Sequence, residues 1–478
     1  MRRNILYLLL LAPPGFAQPP SSSQIAERLT ANNLKADVSF LASDALQGRG
    51  TPSPGLDVAA EFIASQFRGA GLDPAGDDGY FQTAPFVQVT PDQEGRSLTL
   101  EIGGKTIAVG PTKFAVSDTL AALDLKGAAV YTATAIDALT PEQVRGKALV
   151  LLFTGGGRRR VNPAVLATLQ PALVINVASG AGLPPGGARV RPAGAPSIPT
   201  LTVWDPAFTE ALTPGAPAAK ISAHLAVPKV EAVKLRNVAG VLRGSDPALR
   251  DTYVLVTGHY DHLGVRGTGP GDHIFNGAND DASGTSCVIE IARTLGSLGA
   301  RPKRSIVFMA LFGEEQGLLG SRYYAAHPIF PLAKTIADLN LEQMGRTDDN
   351  TGPRVGVVNA TGFDFTDITT LLAKAGDDFG IKLVKDEQNS DPFFARSDNQ
   401  ALADAGIPSH TFSVGYVYPD YHGAGDEWPK IDYENMAKVD RTIALGLWRI
   451  ADSTDVPHWN AANPKTEPYR KAAEALGK

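Results

Sequence analysis

The sequence lacks several features that mark particular classes of protein. It has one cysteine, Cys287, among 478 residues, so it has neither an internal disulfide nor a cysteine metal cluster. Lys and Arg total 44 against 50 Asp and Glu, a formal net charge of −6, which argues against nucleic acid as a partner. No segment after the N-terminus approaches the ~20 apolar residues of a membrane helix. Because the chain has only that one cysteine, any metal site must use His, Asp and Glu.

The N-terminus has the pattern of a secretory signal peptide. Arg2 and Arg3 precede the apolar run 5–11, and small residues follow up to Ala17. The run is too short to span a bilayer, and its layout predicts cleavage after Ala17. The alternative is an uncleaved N-terminal anchor. We expect residues 1–17 to be a signal peptide, and the mature chain to be secreted or periplasmic and free of the membrane.

The composition of the chain changes twice after the signal peptide. Residues 24–90 predict helices, including 24–45 and 56–70, and form the N-terminal helical part of the main domain. Residues 91–230 contain short β-branched runs separated by Gly and Pro turns, typical of an inserted β-rich domain. Residues 231–455 alternate apolar strands with helices, and residues 456–478 are interpreted as a C-terminal tail.

The alternating segment predicts the fold class. Its strands are expected at 253–257, 305–312, 336–341, 354–358 and 409–414, and its helices at 283–298, 363–379 and 432–452. Apolar strands interleaved with helices indicate a sheet covered on both faces. The prediction is an α/β fold with a mixed, mostly parallel central sheet flanked by helices, together with the inserted β-rich domain.

Carboxylates and imidazoles follow several of the predicted strands. In such sheets ligands bind beyond the C-terminal ends of the strands. Clustered carboxylates repel one another and are costly to desolvate together, and divalent cations relieve both costs. His and carboxylate ligands without thiolate suit zinc, manganese or cobalt. The residues at these positions are His259, Asp261, Asp280, Glu314, Glu315, Glu342, Tyr421 and His422.

The pattern at the strand ends suits hydrolysis assisted by two metals. Two metals bridged by one carboxylate need about five protein ligands and leave open positions for water and substrate. Glu314 and Glu315 are adjacent, so one can bind metal while the other acts as a general base. Asp261 follows His259 by two residues and is suited to accept a hydrogen bond from its ring. Each motif alone is compatible with a helix cap or a solvated turn, but their conjunction favours catalysis.

These motifs resemble those of the M28 zinc aminopeptidases, which are secreted peptidases with two catalytic metals. The resemblance covers nearly the whole chain after the signal peptide, and the inserted domain resembles a protease-associated domain. The matching motifs are Gly-His-Tyr-Asp at 258–261, Asn-Asp-Asp-Ala-Ser-Gly at 279–284, Gly-Glu-Glu at 313–315, Asn-Leu-Glu-Gln-Met-Gly at 340–345 and Tyr-His at 421–422.

The resemblance implies two Zn²⁺ per chain, with other divalent metals as alternatives. His259 and Glu342 would hold one metal, Glu315 and His422 the other, and Asp280 would bridge both.

The same resemblance implies three further roles. Glu314 would be the general base and then the acid for the leaving amine. Asp261 would orient His259, and Tyr421 would donate a hydrogen bond to the developing oxyanion.

Two positions depart from the family pattern. Glu342 stands where aspartate is usual, and its longer side chain would alter the geometry or the metal preference. Asp338 is the rival ligand, but strand alternation and the motif register favour Glu342. His262 stands where serine is common. A role beside the metal ligands, a role facing substrate and a plain loop position are all compatible with it.

The resemblance implies an exopeptidase that hydrolyses N-terminal residues from peptide or protein substrates. A carboxypeptidase, a glutaminyl-cyclase-like relative and a non-catalytic binding protein on the same fold are the alternatives. The full set of five ligands argues against a single-zinc cyclase and against a protein that has lost its chemistry. Side-chain specificity and oligomeric state are not readable from the sequence.

Overall fold

The chain divides into two compact units. Unit 1 comprises Met1–Ala84 and Leu235–Lys478, and unit 2 comprises Pro85–Lys234. Within the described part of the chain, no helix has both the length and the apolar character needed to cross a bilayer. The predicted signal peptide, residues 1–17, lies outside the described residues. The computed structural model describes residues 19–136, 138–152, 163–178, 187–212 and 218–478.

Unit 1 is built on a mixed sheet. The strands Tyr253–His259, Ser305–Leu311, Thr335–Leu341 and Ser409–Ser413 are paired in parallel, and every residue in them is buried. Tyr253–His259 and Ser305–Leu311 are near-continuous apolar runs, the pattern expected where both faces of a sheet are covered. Within unit 1 the sheet runs in the order Lys382–Val384, Val357–Ala360, Ser409–Ser413, Thr335–Leu341, Tyr253–His259 and Ser305–Leu311, followed by the parts of Lys229–Leu242 and Phe81–Thr90 that lie in this unit. The predicted α/β fold class is confirmed.

Helices cover the sheet of unit 1 and begin at recognisable caps. Pro54–Gly69 follows Ser53, whose hydroxyl accepts the Leu56 N–H, and Tyr433–Asp452 follows the capping carboxylate of Asp432. Polar caps of this kind satisfy N–H groups that have no partner within the helix. The remaining helices are Ser22–Arg28, Ala31–Leu41, Gly284–Ser297, Leu319–Ala326, Ile368–Gly376, Ser390–Phe393, Asn399–Asp404 and Glu467–Ala475.

Several predicted elements differ from the observed ones; the helix expected at 363–379, for example, covers only Ile368–Gly376. The helix expected at 24–45 is two helices, because Thr30 caps the second one by accepting the Asn33 N–H. The strand expected at 354–358 begins only at Val357, directly after Gly356 with a φ of 74°. Residues 456–478, interpreted as a tail, contain the helix Glu467–Ala475, and Trp459 stacks there on the Tyr469 ring at 4.9 Å.

Unit 2 is rich in β-structure. Its sheet runs in the order Lys105–Ala108, Ser97–Ile102, Ala219–Leu225, Leu123–Ala133, Ala148–Leu152, Leu173–Val177, Thr200–Val203 and Phe114–Asp118. The short helices Pro141–Val144, Pro163–Leu169 and Pro206–Ala211 accompany it. Fully buried Leu100, Phe114, Val150 and Leu201 form part of its own hydrophobic core. Its identity as a protease-associated domain stays a prediction.

Buried His410, on the strand Ser409–Ser413, makes the stability of unit 1 depend on pH. Its Nδ1 lies 2.7 Å from the Thr361 carbonyl and its Nε2 lies 2.6 Å from the Thr366 hydroxyl, so the neutral ring satisfies both partners. Burial lowers the pKa of His410 from 6.5 to about 4. The unfolded chain therefore binds a proton that the folded chain does not, and stability is lost as pH falls from about 6.5 towards about 4.

We expect the protonation of His410 in the unfolded chain to lower the free energy of unfolding by about 2 kcal/mol when the pH falls from 7.5 to 5. The measurement is urea unfolding at both pH values for the wild type and for His410→Gln. The variant should be less stable at pH 7.5 but should lose less stability on acidification. Equal losses in the two proteins would contradict the assignment.

Candidate metal centre

The parallel strands of unit 1 bring the candidate residues to one edge of the sheet. His259, at the end of the strand Tyr253–His259, pairs with Leu311 of the strand Ser305–Leu311. On its other side, Tyr253–His259 pairs with Thr335–Leu341, where Thr257 lies opposite Asn340. Because parallel strands share a direction, the segments that follow them emerge at the same edge. His259, Glu314, Glu315 and Glu342 are delivered to this edge.

The first group of donor atoms comes from His259, Asp280 and Glu342. These atoms all lie within 4.8 Å of one another, and His259 Nε2 is 3.3 Å from Asp280 Oδ1. Within the described residues, His259 Nε2 and Glu342 Oε2 are buried without a hydrogen-bond partner, a costly state for protein groups that bind nothing. Ligands around zinc, with bonds of ~2.0–2.1 Å, also lie roughly 3.3 Å apart. The group fits a zinc ion.

The second group lies on the other side of Asp280. His422 Nε2 is 3.1 Å from Asp280 Oδ2 and 3.3 Å from Glu315 Oε1. Asp280 thus turns one oxygen towards His259 and the other towards His422. The structure brings all five predicted ligands together, and His262 also contributes a donor atom within 4.8 Å of those of Asp280 and Glu315.

The charges in the second group attract cations. Burial and Asp280 raise the pKa of Glu315, but the imidazoles of His262 and His422 outweigh them and lower it to about 2. Burial lowers the pKa of His422, but Asp280 and Glu315 outweigh it and raise it to about 10. Ionised carboxylates in a buried cluster need positive charge beside them, which a divalent cation supplies.

Glu314 lies in the turn that follows the strand Ser305–Leu311. Its N–H donates to Asp261 Oδ1 at 3.0 Å. Burial raises the pKa of Glu314 well above its usual range; His259 lowers it, and the carboxylate of Glu342 raises it further. A carboxyl group with a raised pKa, beside candidate ligands but in neither donor group, suits proton transfer.

Asp261 contacts His259 chiefly through its main chain. His259 Nδ1 lies 3.2 Å from the Asp261 carbonyl oxygen and 3.6 Å from the carboxylate, so the carbonyl is its hydrogen-bond partner. The carboxylate instead accepts the Thr51 hydroxyl at 3.0 Å and the Glu314 N–H. Asp261 therefore connects the imidazole of one candidate ligand to the backbone of the candidate base.

Tyr421 is placed beside the second group. Its ring stacks on that of His422 with centroids 4.0 Å apart. Burial raises the pKa of its hydroxyl, and Asp280 and Glu342 raise it further. The hydroxyl stays protonated and is available as a hydrogen-bond donor.

Arg49, to which the sequence analysis gave no role, holds two of the loops together. It is fully buried, and its guanidinium donates to the carbonyls of Tyr260 at 2.8 Å, Asn276 at 2.7 Å and Gly277 at 3.0 Å, and to that of Leu41. It thereby ties the segment after His259 to the segment before Asp280. A single arginine in a loop has no periodic signal that would have revealed this.

Asp426 holds the main chain of the bridging residue. Its carboxylate accepts the N–H groups of Asn279 and Asp280 at 3.0–3.1 Å and the Tyr418 hydroxyl at 2.7 Å. Asp426 stands four residues after His422, so one loop carries both a candidate ligand and the support of another. The sequence shows that spacing but not the contact.

Comparison with known proteins gives three results. Residues 237–446 match the model of peptidase family M28. A probable zinc metalloprotease of Pyrenophora teres f. teres is 37% identical over 250 residues, covering 47% of this chain and 50% of that one. A probable glutamate carboxypeptidase of Arabidopsis thaliana is 28% identical over 226 residues, covering 45% and 30%. The chain spans half or less of the length of these two curated relatives.

A solved structure shares the fold. An aminopeptidase from Aneurinibacillus sp. strain AM-1 superposes with a TM-score of 0.61 and 20% sequence identity, covering 91% of this chain and 97% of that one. At this identity the similarity establishes the fold alone.

Proposed function

Because residues 237–446 belong to peptidase family M28, as the sequence motifs predict, we propose that this chain is a secreted two-zinc aminopeptidase that hydrolyses N-terminal residues from peptides. The observation that carries the proposal is the convergence of five imidazole and carboxylate side chains, with unpartnered buried donor atoms, at one sheet edge. The similarity to a zinc metalloprotease and the shared aminopeptidase fold support the activity. Export rests on the predicted signal peptide, residues 1–17.

In this proposal the five side chains hold two metals. His259 and Glu342 would hold the first, His422 and Glu315 would hold the second, and Asp280 would contribute to both, since one of its oxygens faces His259 and the other faces His422. Two zinc ions bound there would supply Lewis acidity towards the scissile carbonyl and would make water nucleophilic near neutral pH. The longer side chain of Glu342, compared with the usual aspartate, still brings a donor atom within 4.8 Å of its partners.

Glu314 is the proton carrier of the reaction. Its carboxylate accepts a proton from the attacking water as the new carbon–oxygen bond forms. The same proton then passes to the nitrogen of the leaving amine as the carbon–nitrogen bond breaks, so Glu314 ends the cycle ionised. Its main chain is held by the Asp261 carboxylate, which limits the directions that its side chain can take.

Two further residues assist. The Asp261 carbonyl accepts a hydrogen bond from His259 Nδ1, which leaves Nε2 with the lone pair that a metal needs. The Tyr421 hydroxyl, kept protonated, donates to the oxyanion that develops on the substrate carbonyl.

A panel of substrates tests the exopeptidase class. We expect hydrolysis of aminoacyl-4-nitroanilides with a free α-amino group, and a loss of roughly 10²-fold or more in kcat/KM when that group is acetylated, since a polar group of the site is then left unpaired. N-blocked dipeptides with a free carboxylate form the second arm of the test. Carboxypeptidase activity is the alternative, because the chain is similar to a probable glutamate carboxypeptidase. Cleavage of those dipeptides alone would overturn the aminopeptidase assignment.

A further inference from the structure

We propose that His262 is a sixth protein ligand of the metal pair and binds the second metal through Nδ1. This inference rests on the proposed two-metal function and adds a residue that the five-ligand set does not include. The second metal would then have four protein ligands, Asp280, Glu315, His422 and His262, whereas the first has three.

The distances around His262 resemble those around His259. Nδ1 of His262 lies 2.9 Å from Glu315 Oε1, and both side chains are almost wholly buried. His259 Nε2 approaches its own carboxylate neighbour, Asp280, at a similar 3.3 Å. Imidazole nitrogens and carboxylate oxygens at this separation are typical of ligands that share a zinc ion.

A direct hydrogen bond does not explain the short distance. Across the described part of the chain, neither His262 Nδ1 nor Glu315 Oε1 has a hydrogen-bond partner, so the oxygen does not lie along the direction of a ring N–H. Two buried polar atoms that stand 2.9 Å apart without an aligned hydrogen bond are both left unsatisfied, which is costly. A cation bound by both atoms would satisfy both of them.

The packing of His262 fixes its ring in this position. The His262 N–H donates to the Arg49 carbonyl at 3.2 Å, and a Cβ at Gly277 would collide with Cγ of the ring. The ring meets that of His422 edge-on, with centroids 5.8 Å apart. The two imidazoles therefore approach Glu315 from different directions, as ligands of one metal do.

The two metals would consequently differ. The first keeps more open positions for water and the substrate carbonyl, and the second is held more tightly. The His262 side chain is fully buried, whereas that of His422 is 37% exposed. We expect the second site to fill first when zinc is added to the metal-free protein.

Cobalt substitution tests this ligand directly. In the cobalt-loaded full-length protein, labelled with ¹⁵N-histidine, a metal-bound imidazole gives a strongly shifted N–H signal in NMR spectra. We expect His262→Gln to lose one shifted signal that the wild type has. Zinc affinity at the second site should fall by more than the ~10–100-fold typical of losing a group that only supports a ligand. His224→Gln in unit 2, whose imidazole contacts Asp124, is the matched control and should change neither.

The contrary result is a His262→Gln spectrum that retains every shifted signal of the wild type, with zinc affinity unchanged. If that variant does not fold, X-ray absorption of the zinc-loaded wild type decides by counting imidazoles, three per metal pair with His262 and two without it. A protein that takes up no cobalt and hydrolyses peptides in the presence of chelator would instead refute the proposed function itself.

Discussion

Replacing Glu314 by glutamine is expected to lower kcat by about 10²–10⁴-fold, the usual effect of losing a general base. Glutamine preserves the size of the side chain and the main-chain hydrogen bond to Asp261, but it cannot accept the proton of the attacking water. Because Glu314 belongs to neither group of donor atoms, zinc content should not change. Steady-state kinetics on an aminoacyl-4-nitroanilide, combined with metal analysis, measures both effects.

The control for this variant is Gln316→Ala, two residues along the same turn and exposed to solvent. It should keep the kcat of the wild type. Full activity in Glu314→Gln would show that another group carries the proton. Loss of zinc from Glu314→Gln would show that Glu314 is a ligand rather than the base.

Replacing Asp280 by asparagine is expected to weaken both metals together. Asp280 Oδ1 faces His259 and Oδ2 faces His422, so one substitution removes a negative ligand from both sites. Removing one partner from a buried charged cluster costs about 3–5 kcal/mol, which corresponds to roughly 10²–10⁴-fold in affinity. Activity at limiting zinc should fall by a similar factor. Zinc titration of the metal-free variant, followed by calorimetry and by peptidase rate, gives both quantities.

Asp272→Asn makes the same change of charge at an exposed position of the segment that precedes Asp280. It should bind zinc as the wild type does. If Asp280→Asn lost only one of two zinc ions while the other kept its affinity, Asp280 would belong to one site and would not be the bridge.

The central sheet is predictable because its strands have an unambiguous chemical signature. Tyr253–His259 and Ser305–Leu311 are buried on both faces, and strands of this kind are apolar over most of their length. Strand-end positions of the candidate ligands then follow from the topology rather than from side-chain detail. That is why His259, Glu315 and Glu342 could be grouped before their distances were known.

The contacts that depend on loop backbone are not predictable in this way. The sequence suggests that the Asp261 carboxylate holds His259, but the carbonyl is closer and the carboxylate binds the Glu314 N–H instead. Arg49 is far in sequence from the loop residues that it contacts. Its guanidinium meets their carbonyl groups only in the folded chain. No periodic pattern encodes such contacts, because loop conformation is set by individual hydrogen bonds.

His262 illustrates the same limit at the site itself. Three roles for it were open from the sequence, since a histidine after a short turn is compatible with each. Its complete burial and the 2.9 Å approach of its Nδ1 to Glu315 Oε1 favour a fourth role, direct binding of metal, and both facts depend on the packing of the His262 ring against Gly277.

The zinc content of the purified wild-type chain, measured by mass spectrometry after equilibration with zinc and removal of the excess, tests the account most directly. We predict two zinc ions per chain, with aminopeptidase activity lost on chelation and restored as zinc is returned. A chain that binds no zinc, or one that hydrolyses peptides equally well after chelation, would contradict it.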